Sequence, residues 1–119
     1  MTQVGAQISE DVQREELTTD AVFETLSSHR RRYALHYLTH TGGETTTRAL
    51  SEQIAAWENG IAREAVTPKQ RKRVYTGLHQ THLPKMAQLG VVKYDQNRGT
   101  VSLSRTTDEF DIYMDVVPS

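Results

Sequence analysis

The clearest structural signal in this sequence is the start of a long helix in the second half of the chain. Thr67 is a favourable N-cap, and Pro68 suits the first helical position, where a backbone N–H has no partner inside the helix. Gln70 stands at the third position, as a capping box requires. The apolar pattern continues to about Leu89, although Pro84 must kink or interrupt the helix because it lacks a backbone donor.

A β-hairpin is predicted directly after this helix. Gly90 ends the helical pattern, and two alternating runs, residues 91–94 and 100–104, flank a five-residue turn that contains Gly99. Successive side chains of a strand point to opposite faces. The side chains predicted to face the core are Val92, Tyr94, Val101 and Leu103, and those predicted to face solvent are Lys93 and Ser102.

Three shorter helices are predicted before the long one. The predicted helices are followed by a hairpin within about 85 residues. This is the order of elements in a winged helix-turn-helix domain. The sequence therefore predicts an α+β fold of this type, with three or four helices followed by a β-hairpin wing. The first helix is predicted to begin with Asp20 as its N-cap, the second to run from His29 to about Thr39 before Gly42, and the third to begin after Thr46 or Thr47 and end at Asn59 and Gly60.

Charge divides the chain into three segments, although the formal net charge of the whole is only -1. Residues 1–28 carry a net charge of -5, residues 29–105 carry +8, and the last fourteen residues carry -4. We expect residues 1–18 to be an acidic, disordered tail and residues 19–105 to be the winged-helix domain. The acidic segment 106–119 is either a third strand or a helix at a dimer contact. The basic centre is the electrostatic footprint of a polyanion-binding surface.

A helical wheel of residues 67–89 separates a core face from a polar face. The polar face is either an ordinary solvated surface or a groove-reading one, since Arg and Gln pair with base edges, Thr contacts thymine methyls and Lys neutralises phosphate. Gly77 on this face would let nucleic acid approach the backbone closely. Tyr75 is placed on the core face, which disfavours a stacking platform for single-stranded nucleic acid or RNA. The predicted core face holds Val74, Tyr75, Leu78, Leu83, Met86 and Leu89, and the predicted base-reading residues are Lys69, Arg73, Thr76 and Gln80.

Other cations are predicted to contact phosphates. Arg71 and Lys72 flank the base-reading face, and Arg98 at the tip of the hairpin suits the minor groove. A second basic run, residues 30–32, opens the second helix, where it either approaches a DNA backbone or surrounds the helix entrance as snorkelling side chains. The predicted phosphate and wing residues are Arg71, Lys72, Lys85, Lys93, Arg98, Arg31 and Arg32.

Several function classes are excluded or disfavoured. The absence of cysteine excludes disulfides, Cys-ligated zinc, iron–sulfur clusters and thiol catalysis. Apolar runs are short, so we expect no membrane span and a cytoplasmic location. Phosphate-loop, nucleophile-elbow and zinc-protease motifs do not occur, so we expect neither an enzyme nor a cofactor. Residues 36 and 40, and residues 79 and 82, are histidines at metal-ligand spacing, but no metal site is expected.

Two stretches resemble a family of small haloarchaeal winged-helix domains of uncharacterised function. They are residues 30–38 (RRRYALHYL) and residues 78–85 (LHQTHLPK), the latter running into residues 89–95 (LGVVKYD). The junction from His82-Leu83 to Gly90-Val91-Val92 is more distantly similar to ArsR-like regulators. The resemblance covers roughly residues 20–104 and implies an archaeal, dimeric, DNA-binding transcriptional regulator. In the ArsR-like pattern the groove residues correspond here to Thr76, Gln80 and Thr81.

Together these features predict a sequence-specific regulator of transcription that binds double-stranded DNA through a major-groove helix and a wing. We expect it to act as a homodimer and without a membrane. The alternative is a winged-helix module that binds a protein partner and never binds DNA. A salt titration distinguishes the two, because counterion release makes DNA binding strongly salt-dependent.

Overall fold

The computed structural model describes residues 17–104. Most of the predicted N-terminal tail and all of the predicted C-terminal segment 106–119 therefore lie outside the described residues. The predicted α+β fold is confirmed, and its layout is that of a winged helix. The elements in chain order are α1 (Thr19–Leu26), α2 (His29–Thr41), β1 (Thr45–Thr46), α3 (Thr47–Asn59), a 3-10 turn (Arg63–Ala65), α4 (Pro68–Gly77), a π-turn (Leu78–His82), α5 (Leu83–Gln88), β2 (Val92–Asp95) and β3 (Thr100–Leu103).

Local capping determines where the helices begin. The hydroxyl of Thr18 accepts a hydrogen bond from the backbone N–H of Ala21 at 3.0 Å, so Thr18 is the N-cap of α1. The prediction of Asp20 as N-cap was therefore wrong. Asp20 instead lies in the first turn, where a negative charge is favoured by the helix dipole.

The capping box predicted at the start of α4 is confirmed. Gln70 N–H donates to the Thr67 hydroxyl at 3.1 Å, and Thr67 N–H donates to the Gln70 side-chain oxygen at 2.9 Å. The predicted helix ends are also confirmed, since Gly42 and Gly60 follow α2 and α3 with positive φ angles of 69° and 61°. These signals are local in sequence, so the elements begin and end close to their predicted positions.

Three short strands form one antiparallel sheet in the order β1-β3-β2. In the hairpin, Val92 pairs with Leu103 and Tyr94 with Val101, which confirms the predicted inward and outward faces. β1 was not predicted, because it consists of two threonines without an apolar pattern. β1 pairs with the wing strand β3 and thereby joins the wing to the first turn of α3.

One hydrophobic core lies between the helices and the sheet, and it draws on every helix and both hairpin strands. Most of the predicted core face of the long helix is in this core, but Tyr75 is not. In the described range 17–104, no helix has the length and apolar character needed to cross a bilayer. The buried apolar residues in the described part of the second half are Val74, Leu78, Leu83, Met86, Val91, Val92 and Val101.

The long helix contains a π-turn instead of running as a continuous α-helix. The backbone N–H of Leu83 donates to the carbonyl of Leu78, five residues earlier. Pro84 explains this geometry, because it has no N–H to donate and its ring would collide with the carbonyl of Gln80, four residues before it. A wider turn relieves both conflicts. The predicted interruption is thus confirmed as a π-turn from which the helix continues into α5.

Candidate nucleic-acid interface

The basic side chains of the described region form two groups. Those in the first group contact a carboxylate or a backbone carbonyl of the protein itself. Those in the second group have no such acceptor among residues 17–104 for the charged group. The second group consists of Arg48, Lys69, Lys72, Arg73 and Lys93.

The exposed face of α4 carries most of this second group. Lys69, Lys72, Arg73 and Thr76 are all exposed, and their spacing of three and four residues places them on one side of the helix. The Thr76 hydroxyl donates to the backbone carbonyl of Lys72 at 2.9 Å, which holds the threonine side chain along the helix. Gln80 is exposed as well, but it lies in the π-turn. Three of the four predicted base-reading residues therefore share one α-helical face.

A cleft of about 550 Å³ lies beside this face, between the start of α3 and α4. Arg48 and Lys72 line it from the two helices, together with Arg71, Tyr75 and Pro68. Arg48 was not among the predicted site residues, because no sequence pattern links it to a helix that begins twenty residues later. Only the packing of α3 against α4 brings these cations to one place.

Tyr75 lines the cleft, and its predicted place on the core face was wrong. The ring is half-buried and stacks on His79, with centroids 5.7 Å apart and planes at 13°. Val74 and Leu78 occupy the core side of the helix. Because an α-helix turns by about 100° per residue, Tyr75 next to Val74 faces the start of α3 instead.

His79 connects the long helix to the wing. Its Nδ1 lies 2.9 Å from the hydroxyl of Tyr94 in β2, and its Nε2 lies 3.5 Å from the amide nitrogen of Gln96 in the hairpin turn. Burial raises the pKa of Tyr94, so the phenol stays protonated in the physiological range. A continuous contact thus runs from the cleft to the hairpin, because Tyr75 stacks on His79 and His79 contacts the hydroxyl of Tyr94.

The wing presents two predicted cations. Lys93 is exposed on the outer face of the hairpin, as predicted. Arg98 at the tip is also exposed, and its guanidinium lies 3.8 Å from the Glu44 carboxylate. An exposed pair at this distance contributes little to stability and opposes exchange of partner only weakly. Both wing residues are therefore accessible to an external anion.

The protein-family comparison matches residues 23–102 to a domain of unknown function, DUF7344. The chain belongs to the DUF7344 family. Comparisons with curated proteins and with solved structures gave no match. The DUF7344 match extends from α1 to β3, so it includes the exposed face of α4, the cleft and the wing.

Two predicted phosphate residues of the DUF7344 domain have internal partners. The Arg71 guanidinium lies 3.6 Å from the carboxylate of Glu52, which also contacts Arg63 at 3.3 Å. Lys85 in α5 lies 3.9 Å from Glu24 in α1, on the side where α1 packs. Arg71 lines the cleft while paired with Glu52, whereas Lys85 is not among the residues that line the cleft.

Arg31 and Arg32, which are predicted to contact phosphates, are engaged by carbonyls within the protein. The side chain of Arg31 is 10% exposed and donates to the carbonyls of Glu24 and Thr25. Arg32 donates to the carbonyl of Leu26 at 2.5 Å. The last carbonyls of a helix lack intrahelical partners, and cations are favoured beside them. Both arginines therefore cap the C-terminal end of α1.

Arg30 occupies the space beside Gly77. Its guanidinium donates twice to Glu58, at 2.6 and 3.1 Å. Burial would raise the pKa of Glu58, but hydrogen bonds and charge from Arg30 and His29 outweigh it and the pKa is lowered. A Cβ at Gly77 would lie 2.9 Å from the Arg30 Nη1. The missing side chain thus makes room for Arg30, contrary to its predicted role of admitting nucleic acid.

The histidines at metal-ligand spacing serve other contacts. His82 Nδ1 lies 3.2 Å from the Arg31 guanidinium, which can only donate, so His82 accepts with a neutral ring. Burial, followed by the charges of Arg31 and Arg30, lowers the pKa of His82. The rings of His36 and His40 contact each other, with centroids 4.3 Å apart. In the described part of the DUF7344 domain, no three metal-ligating side chains lie together.

Proposed function

We propose that this protein is a sequence-specific transcriptional regulator that binds double-stranded DNA, with α4 in the major groove and the β2–β3 hairpin as the wing. The observation that supports this most is the cluster of cations that have no acceptor in the described part of the chain. Lys69, Lys72 and Arg73 share the exposed face of α4, and Arg48 lies across the adjoining cleft. Clustered cations repel one another, and a polyanion supplies the missing opposite charge.

Base reading is assigned to the side chains that can form directional contacts. Arg73 suits a guanine edge and Gln80 an adenine edge, since each can make two parallel hydrogen bonds. The Thr76 methyl suits a thymine methyl, and Lys69 suits a guanine or a nearby phosphate. The resemblance to ArsR-like regulators implies Thr76, Gln80 and Thr81, and it supports our assignment of specificity to α4 and the π-turn.

Phosphate contacts are assigned to Lys72, and to Lys93 and Arg98 of the wing. Arg71 must first exchange Glu52 for a phosphate, so its contribution is smaller. Lys85 must likewise leave Glu24. The predicted phosphate residues therefore differ, because Arg71 and Lys85 must separate from a carboxylate before they bind phosphate and Lys72 need not.

Selection of bound sequences from a random duplex pool tests this proposal directly. Enrichment of one motif is the expected result, and two inverted half-sites about 10 base pairs apart would support the proposed homodimer. Such a role agrees with a cytoplasmic location and with the archaeal origin that the resemblance implies. The affinity for an enriched site should fall steeply with salt, by about 0.9 log unit per log unit of salt for each phosphate contacted.

The second candidate, a module that binds a protein partner, is supported by a different surface. Trp57 stacks on Tyr33 with centroids 5.2 Å apart and meets the edge of Tyr37 at 6.4 Å, on the side formed by α2 and α3. These rings are partly exposed, as aromatic residues at protein interfaces often are. Absence of duplex binding even at low salt would favour this candidate over DNA binding.

A further inference from the structure

The cleft between α3 and α4 combines free charge with apolar surface. Arg48, the second residue of α3, and Lys72 of α4 are exposed and have no acceptor among the described residues. Tyr75 and Pro68 contribute a ring and an apolar edge to the same cleft. A matching ligand must therefore carry both negative charge and a ring-like apolar body.

Arg71 is the third cation of the cleft, and it already has a carboxylate partner. Glu52 lies 3.6 Å from Arg71 and 3.3 Å from Arg63, so it is held between two arginines. Among the described residues, the cations of the cleft that have no acceptor are therefore one from each helix, Arg48 and Lys72. Two cations that line one cleft from two different helices suit a single anion bound there.

The ring of Tyr75 is held in place. It stacks on His79, which contacts the hydroxyl of Tyr94 at 2.9 Å. A ring positioned in this way offers a preorganised surface, which reduces the entropy lost when a ligand packs against it. The cleft volume of about 550 Å³ exceeds what an inorganic phosphate alone would fill.

We propose that this cleft binds one sugar-phosphate unit of the DNA backbone. Its phosphate accepts hydrogen bonds from Arg48 and Lys72, and its deoxyribose packs against Tyr75. This assignment rests on the proposed function and adds α3 to the interface. A backbone contact shared by α3 and α4 sets the register of α4 on the duplex, because phosphate contacts position a protein whereas base contacts specify the sequence.

The test compares the salt dependence of duplex binding for the full chain and its variants. Because one phosphate is shared, the double variant Arg48→Ala/Lys72→Ala should lower the log–log salt slope by about one unit in total. The ratio of wild-type to double-variant affinity should therefore be about eightfold larger at 0.1 M salt than at 1 M salt. Each single variant should lower the slope by less, and the loss should be equal for all duplex sequences.

Arg63→Ala is the matched control for charge, since Arg63 contacts Glu52 outside the cleft and should leave the slope unchanged. Tyr75→Leu should weaken binding several-fold at an unchanged slope, because it removes contact surface without removing charge. Tyr75→Phe should bind like the wild type. Arg48 and Lys72 are exposed, so their variants should keep the wild-type urea midpoint, which confirms that they fold.

Four results would overturn the assignment. A slope loss of two units in the double variant would mean separate phosphates. If the wild type binds duplex and the double variant has the same slope, the cleft is not part of the interface. Binding of deoxyadenosine monophosphate that depends on Arg48, with an unchanged duplex slope, would make the cleft an effector site. If the wild type binds no duplex at any salt concentration, the proposed function fails together with this assignment.

Discussion

Residues 30–32 and residues 71–73 are both runs of three cations near the start of a helix, yet the fold gives them different surroundings. In the first run, the guanidinium groups bind Glu58 and the terminal carbonyls of α1. In the second run, only Arg71 has an acidic partner within residues 17–104. The difference lies in the neighbouring acceptors. α1 ends three residues before α2 begins, so its free carbonyls meet the first run. A basic run therefore indicates a binding surface only where the fold offers it no acceptor.

Arg31→Ala should produce the largest effect, and it should be on stability. The substitution leaves two carbonyls at the end of α1 and His82 Nδ1 without their donor in a buried setting. We expect the free energy of unfolding to fall by about 3 kcal/mol, measured by urea denaturation at pH 7.5. Arg73→Ala is the control and should change it by less than about 0.5 kcal/mol. Equal stability of the two variants would contradict the contrast between the runs.

Arg73→Ala should have its effect on DNA binding instead. On a site enriched by selection, the loss should be about 1–3 kcal/mol in binding free energy, with relaxed preference at one base pair. Gln80→Ala should behave similarly at another position. Electrophoretic or fluorescence titration against matched and mismatched duplexes measures both quantities. If affinity falls equally for every sequence, these side chains contact phosphates and the base-reading assignment is wrong.

Mild acid should lower the free energy of unfolding by a smaller amount, through one histidine of α2 and one of the π-turn. Burial lowers the pKa of His82, with help from Arg31, and burial with nearby His40 lowers the pKa of His36. The unfolded chain therefore takes up protons first as pH falls below the ordinary value of 6.5. Stability should be complete above that pH and decline below it, by at most about 1.4 kcal/mol per pH unit for each histidine.

Urea denaturation between pH 7.5 and 5 measures this decline. His82→Gln should remove the part that belongs to His82. Glu58 acts in a separate range, because its lowered pKa means that its contribution is lost only below pH 4.5, its ordinary value. A flat profile from pH 7.5 to 5 would show that neither histidine is held neutral by the fold.

Gly77→Ala should have the smallest effect. It probes the point where Arg30 of the first basic run meets the end of α4. Alanine favours the helix by about 1 kcal/mol, but its Cβ would displace the tip of Arg30. These terms oppose each other, so we expect a net stability change below about 1 kcal/mol. Duplex affinity should stay within twofold. A tenfold loss of affinity at unchanged stability would restore the interpretation that Gly77 admits nucleic acid.

The parts of the fold that were predictable from sequence are those encoded by neighbouring residues. The capping box at Thr67, the glycine stops and the alternation of the hairpin each depend on a few adjacent positions, and each was predicted correctly. β1 was missed because a two-residue strand of threonine is defined only by its partner β3. The N-cap of α1 was displaced because Thr18 and Asp20 are both good capping residues, so composition alone does not choose between them.

The candidate site was predictable in its cations but not in their use. Exposure of Lys69, Arg73 and Thr76 follows from helical periodicity. The burial of Arg31, the pairing of Arg71 with Glu52 and the proximity of Arg48 to Lys72 all arise from packing between distant segments. The sequence around a charged residue is the same whether or not a distant acceptor contacts it. The partners of these cations are therefore defined only by the fold.

The π-turn divides the long helix into two parts that are free to evolve separately. Substitutions at the exposed positions of α4 change its polar face without touching the core, whereas Leu83 and Met86 of α5 are held by the core. Removing one residue from the turn would rotate α4 relative to α5 by about 100°. Deletion of any one residue within Leu78–His82 would therefore turn the whole exposed face of α4 in a new direction at once, which no single substitution achieves.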